Sequence, residues 1–580
     1  MSLYYDLNNQ GFDGTLIASD IPASSGGDSY FWDTSAVPEG KYWLYARVMD
    51  GLNQNQCYAG GPVFIDHELI PVISLSKSQV YLGAEQNGPS TASEAVYISN
   101  SGRGALNWQA SAGENWIDVN PTGGVGDGVI QIGVQDTSLP AGTYTGTVSV
   151  TDPKALNSPQ IINVSLTVYA SGADSAPFGV FDSPLDGSTV SGNIPITGWA
   201  LDDIEVSHVE IKRAPVAADP PAAVGPDGLV YIGDTVFVKG ARPDVEAAFP
   251  AHPRAERAGW GYMMLTNFLP NQGNGTFTLY AFAYDETGHK VALGQKLIIC
   301  DNAARVKPFG TLDTPGQGDV ISGSGYVNFG WALTPLPKMI PVDGSTIWVW
   351  VDGVPLGNPN YGHYRVDIAT LFPGYLNCDG AVGYHMLDTT AYANGMHNIV
   401  WSVTDNEGEV DGIGSRYFEI LNLGGHALAT IKPIAAQYLQ QLREDQSGSL
   451  TIDLREIRRR GRSNAKSQGV IARPDKPPVI AGPEGPRRSL ELEIELLERL
   501  EVHFQAKGGL EFIGWGVNKS KPLPVGSTLD KTNGVFYWIP GPGFLGRHVL
   551  HFAVTDGTFI SKPLTLVIDI GYSRFMDRTR

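Results

Sequence analysis

The segment GKYWLYARVMD (residues 40–50) decides the fold, because its pattern recurs four more times along the chain. The other copies are GTYTGTVSVTD (142–152), GTFTLYAFAYD (275–285), GMHNIVWSVTD (395–405) and GRHVLHFAVTD (546–556). Each copy begins with glycine and ends with aspartate ten residues later. The positions two, four, six and eight after the glycine are mostly apolar, and alternate residues of a strand point to one face. Each copy is therefore predicted to be a strand with one side turned to a core.

The conserved ends of these copies have structural interpretations. A leading glycine suits a tight turn, and a closing aspartate accepts backbone hydrogen bonds in the next turn. Those aspartates are Asp50, Asp152, Asp285, Asp405 and Asp556. An aromatic residue near the start of such a strand is typical of the tyrosine corner of immunoglobulin-like sandwiches. His397 and His548 hold that position in the last two copies, so we interpret them as corner residues and not as general bases.

One such strand every 102 to 151 residues predicts about five β-sandwich modules. The chain of 580 residues is too long for one core, and its 70 glycines and 39 prolines favour all-β modules joined by many turns. The predicted fold class is all-β, a tandem of immunoglobulin-like and fibronectin-III-like sandwiches with one irregular basic linker.

The charge and the cysteines exclude several classes of protein. A formal net charge of −20 makes nucleic acid an unexpected partner. The sequence contains no run of 18 apolar residues, so we predict no transmembrane segment. The start MSLYYDLNN lacks the features of a signal peptide. Cys57, Cys300 and Cys378 form neither a disulfide framework nor a metal motif, so we predict buried or half-buried free thiols.

Residues 1–70 contain FWDTSAVPEGKYWLYARVMDG followed by GPVFID. They resemble the second half of a fibronectin-III-like unit of large bacterial surface and secreted proteins, with about two-thirds of a sandwich present. A partial sandwich exposes strand edges. Two interpretations remain open: the segment begins inside a longer polypeptide, or a partner strand completes the sheet, which includes self-association by strand addition.

Residues 71–171 contain YISNSGRGALNWQASAGENWIDVNPTGG and then LPAGTYTGTVSVTD. This order resembles the BACON-type domain of bacterial extracellular proteins. The resemblance implies a β-sandwich and possible glycan contact through Trp108 or Trp116. The alternative places both tryptophans in the sandwich core, and we favour it because sugar stacking needs exposed rings.

Residues 172–304 and 305–422 are predicted to be two copies of one module. PFGVFDSPLDGSTVSGNIPITGWALDD in the first matches PFGTLDTPGQGDVISGSGYVNFGWALTP in the second. The pair resembles tandem bacterial Ig-like modules of very large exported proteins. Arg242 with Asp244 and Arg365 with Asp367 recur at equivalent places, which predicts a local ion pair, with a ligand role as the alternative.

Residues 423–488 are predicted to be a basic, proline-containing linker, with a short helix at 433–444 and an extended stretch at 474–486. Its basic run is predicted either to bind an anionic surface or to dock on acidic neighbours of the same chain. The run comprises Arg455, Arg458, Arg459, Arg460 and Arg462. Residues 489–580, with LPVGSTLDKTNGVFYWIP before a strand ending in TDG, resemble the putative-immunoglobulin, cadherin-like modules of bacterial surface proteins.

No motif for catalysis is present. The sequence lacks G-x-S-x-G, H-E-x-x-H, a phosphate-binding G-x-x-x-x-G-K-[ST] loop and C-x-x-C. We therefore assign no catalytic, cofactor-binding or metal residues, and pairs such as Asp202 with Asp203 are expected by chance. Structural calcium is the one alternative, because DNEGEVDG (405–412) offers carboxylates from Asp405, Glu407, Glu409 and Asp411.

These observations predict a non-enzymatic, exported bacterial multi-domain protein that is extracellular or at the cell surface. It is expected to act as a stalk, an adhesive or an assembly segment, with fibre formation as one form. The expected partners are a surface glycan, another protein or a second copy of the chain. The alternative function is a carbohydrate-binding, non-catalytic tail of a secreted hydrolase or peptidase.

Overall fold

The computed structural model of the protein describes residues 1–21, 30–49, 51, 53–65, 70–422, 442–445, 449–460, 489–507, 509–519, 521–557 and 559–571. Several predictions fall outside these residues: Asp50, Arg462, the extended stretch at 474–486, and residues 433–441 of the expected helix. Within the described residues the chain forms successive modules built from β-sheets, which confirms the predicted all-β fold class.

Residues 2–65 form one antiparallel sheet with the strand order β2-β1-β3-β4. The strands are β1 (Ser2–Asp6), β2 (Thr15–Ala18), β3 (Gly40–Met49) and β4 (Gln54–Ile65). Val37, Tyr42 and Ile65 form a small core on this sheet. A second sheet is absent from the described residues of this unit.

The predicted core face of the first unit is correct at Tyr42 and wrong at Val48. The pairing of β3 with β4 shifts register between Trp43 and Tyr45. Tyr45 is buried by the rings of Phe12 and Tyr58, whose centres lie 5.3 and 5.0 Å from its own, and it is not part of the small core around Tyr42. Val48 has the same parity as Tyr42 but is 42% exposed, because this small core does not extend to it.

Two sheets pack face to face in the second module, as in a sandwich. One sheet has the order β10-β8-β12-β13-β6 and the other β5-β7-β11-β9. The strands are β5 (Ile73–Leu75), β6 (Gln79–Glu85), β7 (Glu94–Asn100), β8 (Asn107–Ala112), β9 (Ile117–Asn120), β10 (Gly123–Val125), β11 (Gly128–Val134), β12 (Gly142–Thr151) and β13 (Gln160–Tyr169).

The third and fourth modules have the same topology, so the predicted tandem repeat extends to every strand pairing. The third has sheets β14-β16-β20-β19 and β15-β22-β21-β17-β18. Its strands are β14 (Phe178–Ser183), β15 (Ser188–Val190), β16 (Asn193–Leu201), β17 (Val206–Arg213), β18 (Val230–Asp234), β19 (Val236–Phe237), β20 (Gly259–Leu265), β21 (Asn274–Asp285) and β22 (Lys290–Asp301).

In the fourth module the corresponding sheets are β23-β25-β29-β28 and β24-β31-β30-β26-β27. The strands are β23 (Phe309–Leu312), β24 (Val320–Ile321), β25 (Tyr326–Leu333), β26 (Ile347–Val351), β27 (Val354–Gly357), β28 (Asn360–His363), β29 (Val382–Leu387), β30 (Gly395–Thr404) and β31 (Val410–Ile420).

Helix is confined to short connections in these two modules. Helix α1 (Pro243–Ala248) and helix α2 (Val366–Leu371) occupy the same place in the two copies. The remaining turns are the 3-10 helices Pro221–Ala223, Ala255–Arg257, Thr266–Phe268, Cys378–Gly380 and Thr389–Ala391 and the helical turn Pro270–Gly273.

The last module is a sandwich whose sheets have the orders β32-β40-β39-β41-β34, with β36 also on β39, and β33-β35-β38-β37. The strands are β32 (Arg443–Glu444), β33 (Ile452–Arg460), β34 (Ser489–Glu495), β35 (Arg499–Ala506), β36 (Glu511–Trp515), β37 (Ser527–Asp530), β38 (Val535–Trp538), β39 (Gly546–Thr555), β40 (Phe559–Ile560) and β41 (Leu564–Gly571). As predicted, Leu500, Val502 and Phe504 alternate inward on β35.

The predicted linker at 423–488 is wrong for its described strands. β33 pairs along its length with β35, and β32 pairs with β40, so both belong to the last sandwich. Ile452 and Ile457 are buried in its core. The expected helix is likewise wrong at Arg443–Glu444, because these residues form β32. Burial of apolar side chains against β35 outweighs the high charge of β33.

The repeated segments are the inner strands of all five modules. β3, β12, β21, β30 and β39 each pair with a strand on both sides. In the last three copies the predicted inward positions are all buried, for example Trp401 and Phe552, which are 0% exposed. The leading glycines Gly275, Gly395 and Gly546 have φ of 123°, 130° and 89°. Such positive φ values explain why glycine begins these strands.

The three cysteines are free thiols. Cys300 is buried and Cys378 is half-buried, as predicted, but Cys57 is exposed. Cys57 lies on β4, an edge strand of the sheet in the first unit, and no second sheet formed by the described residues covers it.

We expect Ile457→Ala to destabilise the last sandwich by about 2–4 kcal/mol, because it leaves a cavity between β33 and the opposite sheet. Guanidinium unfolding followed by tryptophan fluorescence measures this loss. Arg455→Ala on the exposed face of the same strand is the control and should change little. Equal effects of the two substitutions would show that β33 does not belong to the core.

Candidate functional site

Both tryptophans with a predicted glycan role lie in the core of the second module. Trp108 is 3% exposed and Trp116 is 7% exposed. The Trp108 ring packs directly on Gly124 and Gly128, and its Nε1 donates to the carbonyl oxygen of Gly126 at 3.1 Å. Sugar stacking requires an exposed ring face, so the implied glycan contact through these two residues is wrong, and their interpretation as core residues is confirmed.

The corner interpretation of the aromatic position is confirmed for Tyr42, Tyr144 and His397. The hydroxyls of Tyr42 and Tyr144 donate to the carbonyl oxygens of Pro38 and Pro140, each at 2.8 Å. His397 makes the same contact, with Nε2 2.8 Å from the carbonyl oxygen of the residue four positions earlier. A histidine can therefore replace the corner tyrosine, because its ring also reaches back across the turn.

His397 and His548 differ in their electrostatic surroundings. Burial lowers the pKa of His397, but the Asp352 carboxylate, 2.6 Å from Nδ1, outweighs burial and holds that pKa above its usual value. His548 packs between the rings of Trp538 and Phe544. Burial there lowers the pKa of His548 to about 4. His548 is thus neutral in the folded protein at neutral pH.

The aspartates that end the repeated strands accept backbone hydrogen bonds, as predicted. Asp285 Oδ1 accepts from the N–H groups of Thr287, Gly288 and His289 at 2.7–3.0 Å. Asp405 Oδ1 accepts from Glu407 and Glu409 at 3.0 Å. Asp152 and Asp556 accept from residues two and three positions later. Each carboxylate thereby shapes the turn after its strand.

The acidic loop that begins at Asp405 does not gather its carboxylates on one point. Asp405 Oδ2 lies 2.8 Å from Lys338 Nζ, and both side chains are buried. Thr334 Oγ1 also donates to Asp405 Oδ2, at 2.8 Å. Asp411 instead pairs with Arg305 at 2.5 Å. Protein cations thus hold two of the four carboxylates suggested for calcium, and the calcium interpretation of this loop loses its support.

The equivalent corner of the third module has a different composition. His289 Nδ1 lies 2.8 Å from Asp285 Oδ2 and 3.4 Å from Asp174 Oδ2. Both carboxylate side chains are at most 1% exposed, and ligand atoms of the three residues lie within 4.8 Å of one another. The hydrogen bond with Asp285 raises the pKa of His289 above its usual value.

Asp202 adds a further carboxylate beside this corner. Burial raises the pKa of Asp202 to about 6; hydrogen bonds from the backbone of Ile204 and Glu205 oppose the rise, and the charges of Asp203 and Asp285 add to it. Asp202 follows β16 just as Thr334 follows β25, because Leu201 and Leu333 pair with equivalent phenylalanines. The hydroxyl of one copy is therefore a carboxylate in the other.

The recurring arginine–aspartate pairs are local ion pairs, as predicted. Arg242 Nε and Nη2 donate to the two oxygens of Asp244 at 2.9 and 2.7 Å, and Nη1 donates to Asp182. Arg365 bonds in the same way to Asp367 and Asp313. In the third module the arginine links the start of helix α1 to strand β14. In the fourth module it links the start of helix α2 to the residue after β23.

Hydrogen bonds and ion pairs join the second module to the third. Thr91 Oγ1 donates to the carbonyl oxygen of Ile204 at 2.7 Å, and the Ala92 N–H donates to Glu205 at 2.6 Å. Lys77 bridges Glu94 of its own module and Glu256 of the next. Burial lowers the pKa of Lys77, but the two carboxylates outweigh it and raise that pKa above its usual value.

Apolar side chains join the two tandem modules. Leu265 of the third module lies in one core cluster with Phe309 and Trp331 of the fourth. Asn193 Nδ2 donates to the carbonyl oxygen of Gly310 at 2.7 Å, and Arg305 Nη1 donates to that of Ser191 at 2.7 Å. Core and hydrogen bonds together fix this junction.

The last sandwich packs against both tandem modules. Val238 and Ala241 of the third module and Tyr417 of the fourth are 0% exposed and lie in the same cluster as its core. The Arg499 guanidinium lies 4.2 Å from the centre of the Trp350 ring. Thr528 Oγ1 donates to the carbonyl oxygen of Asp352 at 2.7 Å.

The basic run on β33 docks on acidic neighbours of the same sandwich. Arg459 Nε and Nη2 donate to Glu498 at 2.9 and 2.8 Å. Arg458 pairs with Glu456 at 2.8 Å and lies 3.5 Å from Glu501. Of the two predicted roles, the intramolecular one is confirmed for these two arginines.

Sequence reasoning missed Asp174, His289 and Lys338. Asp174 and Asp285 are 111 residues apart, and only the fold brings them together. The sequence did contain one signal of the difference between the copies. In the alignment, Asp202 of the third module stands where the fourth module has Thr334, so a carboxylate replaces a hydroxyl.

A protein-family model matches part of the chain. Residues 72–163 match the family model described as the viral BACON domain, which agrees with the predicted resemblance. No curated protein sequence matches the chain. In the described part of the chain, no helix has the length and apolar character needed to cross a membrane.

Three solved structures are similar to this chain at low sequence identity. The fibronectin(III)-like modules of Clostridium thermocellum CbhA share 15% identity and cover 43% of this chain and 99% of theirs, with a TM-score of 0.14. The insect immune protein hemolin shares 10% identity over 87% of this chain and 100% of its own, with a TM-score of 0.19. The extracellular domain of protocadherin GammaB4 shares 11% identity over 98% and 77%, with a TM-score of 0.17. Because these TM-scores are low, no property of these proteins is transferred to the present chain.

We expect Lys338→Met to destabilise the fourth module by about 3–5 kcal/mol, because it leaves the buried Asp405 carboxylate without its cation. Chemical unfolding measures the loss. Adding Asp405→Asn to Lys338→Met removes the stranded charge and should restore part of the stability. A Lys338→Met variant as stable as the parent protein would contradict a buried ion pair.

We expect His548 to make the last sandwich less stable in acid. The folded pKa of about 4 lies below the unfolded value of 6.5, so the unfolded chain binds more protons between these values. Stability from neutral His548 is full above pH 6.5 and falls as the pH drops toward 4, by roughly 3 kcal/mol in total. From pH 7 to pH 4, the free energy of unfolding of the parent should fall by that amount relative to that of His548→Phe, in which the titrating group is absent. Parallel curves would contradict burial of a neutral histidine.

Proposed function

We propose that this chain is a non-enzymatic stalk segment with adhesive surfaces, whose second to fifth modules are fixed relative to one another. The observation that carries the proposal is the shared core of the last sandwich with Val238, Ala241 and Tyr417. Modules joined only by linkers move freely, whereas an interface with a buried apolar core holds its partners in one arrangement. Such an arrangement suits a protein that transmits force or presents a surface at a defined distance.

The polar contacts at the junctions support the same role. Between the second and third modules, Lys77 joins Glu94 to Glu256, and these side chains are 6–18% exposed. Partly buried ion pairs are screened less by salt than exposed ones. A stalk outside the cell meets variable ionic strength, so the combination of apolar cores and shielded ion pairs is favourable there.

The proposed location is outside the cell. All-β modules with a BACON-type member are the features that support it, and the matched family model is described as viral. A particle surface is therefore as suitable a place for this stalk as the bacterial cell surface expected from sequence. The proposed partners are a protein or a glycan on the opposing surface.

Assembly by strand addition is a second candidate, favoured by the edges of the first unit. Among the residues that the structure describes, β2 and β4 are the edge strands of this unit's sheet, and β4 is 12 residues long. Phe31 and Phe64 on this unit are 91% and 61% exposed. An unpaired edge beside exposed apolar side chains favours pairing with another chain. Sedimentation velocity at rising concentration tests this candidate, and a single monomer boundary throughout would exclude it.

Pulling experiments test the stalk function. The chain is held by its two ends in an optical trap, and force is raised slowly. A stalk with fixed modules should resist extension until the last sandwich separates from the tandem modules, and unfolding of individual modules should follow. Smooth extension at low force, as for linked beads, would refute the proposal. Beads coated with the chain, mixed with uncoated beads and with each other, separately report adhesion between copies.

We expect Gly261→Ala to loosen the fit between the last sandwich and the third module. A Cβ atom at Gly261 would lie 2.5 Å from the carbonyl carbon of Pro542, which is closer than real contacts allow. Small-angle X-ray scattering should show a larger radius of gyration, and the early separation step in the trap should weaken.

The control for that variant is Gly325→Ala in the fourth module. A Cβ atom there would meet only the Met386 methyl group, at 3.8 Å. The control should scatter like the parent protein. Identical scattering from both variants and the parent would show that the interface is not closely packed.

A further inference from the structure

The third and fourth modules place different charges at the same corner. In the fourth module, the buried Asp405 carboxylate faces the Lys338 ammonium at 2.8 Å. In the third module, Asp285 takes the place of Asp405, but Asp174 and His289 stand beside it. The fourth module thus pairs one carboxylate with one fixed cation, whereas the third concentrates carboxylates around a single imidazole.

Two carboxylate oxygens at this corner are buried without a partner. Asp174 Oδ1 and Asp202 Oδ1 have no hydrogen-bond partner among the described residues. The Asp174 side chain is 1% exposed, and Asp202 is 2% exposed. A buried carboxylate oxygen without a donor is costly unless a positive charge compensates it. A cation bound near Asp174 and Asp202 would therefore stabilise both oxygens.

We propose that this corner binds a divalent transition-metal ion of the zinc class, held by His289 Nδ1 and carboxylate oxygens of Asp174 and Asp285. The ligand atoms lie within 4.8 Å of one another, so small side-chain movements bring them to zinc-ligand distances of about 2.0–2.2 Å. The imidazole favours zinc over calcium or magnesium, which prefer oxygen ligands only.

The remaining contacts fit a metal site. Thr287 Oγ1 donates to Asp174 Oδ2 at 2.6 Å, and three backbone N–H groups donate to Asp285 Oδ1. Hydrogen bonds of this kind orient ligating carboxylates. On metal binding, the contact between His289 Nδ1 and Asp285 Oδ2 would be replaced by bonds from both atoms to the ion, and Asp174 Oδ1 has no competing donor among the described residues. Asp202, whose charge acts on Asp285 and His289, is a further carboxylate beside these ligands.

The metal would fix the connection between the second and third modules. Asp174 lies in the segment between β13 and β14. Asp285 is the last residue of β21, and His289 lies in the turn between β21 and β22. The segment after Asp202 also contacts the second module through Ile204 and Glu205. Binding at this corner therefore ties the connecting segment to the third module where the second module docks.

Zinc titration of the full chain tests the proposal. The protein carries Cys57→Ser, because the exposed thiol would bind zinc by itself, and it is treated with chelator and dialysed. Calorimetry with zinc chloride should show that each Cys57→Ser chain binds one zinc ion tightly. His289→Ala and Asp174→Asn should each weaken that binding at least tenfold. His363→Ala, an exposed histidine bonded to Asn360 in the fourth module, is the matched control and should leave it unchanged.

Thermal melting separates loss of a ligand from loss of fold. With chelator, Asp174→Asn should melt at or above the temperature of the parent, because it removes a buried negative charge. With zinc, the parent should gain melting temperature and the two ligand variants should not. Cobalt in place of zinc should give visible absorption bands in the parent that disappear in His289→Ala.

Three results would overturn the proposal. The first is the absence of a stoichiometric zinc equivalent in the Cys57→Ser protein. The second is zinc binding that survives both His289→Ala and Asp174→Asn, which would place the ion elsewhere. The third is tighter binding of calcium than of zinc that is unaffected by His289→Ala, which would exclude a transition-metal site.

Discussion

The structure depends on one constraint: the central strand of each two-sheet module must keep its alternate side chains between the sheets. In β30 this places Ile399, Trp401 and Val403 in the core, all 0% exposed. A slip of one residue would turn the whole set outward, so the ends of the strand need firm anchors. In β30 the corner ring of His397 at the start and the buried carboxylate of Asp405 at the end supply them, through contacts with the backbone on either side.

Periodicity along the chain was sufficient to predict these strands, because alternation is a local property. It failed where a bulge interrupts it. β33 shifts register between Leu454 and Glu456, so its apolar residues do not alternate evenly, and its arginines suggested a linker. Val48 was misplaced for another reason: it keeps the parity of Tyr42, but the small core of the first unit does not extend to it. Contacts between modules could not be predicted, because the pairing of Tyr417 with the last core depends on how whole sandwiches are oriented.

The third and fourth modules share one fold but differ in the charged residues that they bury. Strand order is identical in the two copies, and so are the arginine brackets at Arg242 and Arg365. The polar corner is not constrained by strand pairing. It can hold a lysine in one copy and a histidine with extra carboxylates in the other, provided that each charge finds a counterion. Alignment of the copies identifies the difference, and the three-dimensional contacts give it meaning.

The position of the last sandwich has a consequence for how the protein is made. The two tandem modules leave the ribosome before β34 to β41 are synthesised, and the last core is incomplete until β41 pairs with β34 and β39. Val238, Ala241 and Tyr417 are therefore uncovered on the growing chain for the time needed to add about a quarter of its length. An apolar surface of this kind attracts chaperones or neighbouring nascent chains, so translation speed through the final module affects the yield of folded protein.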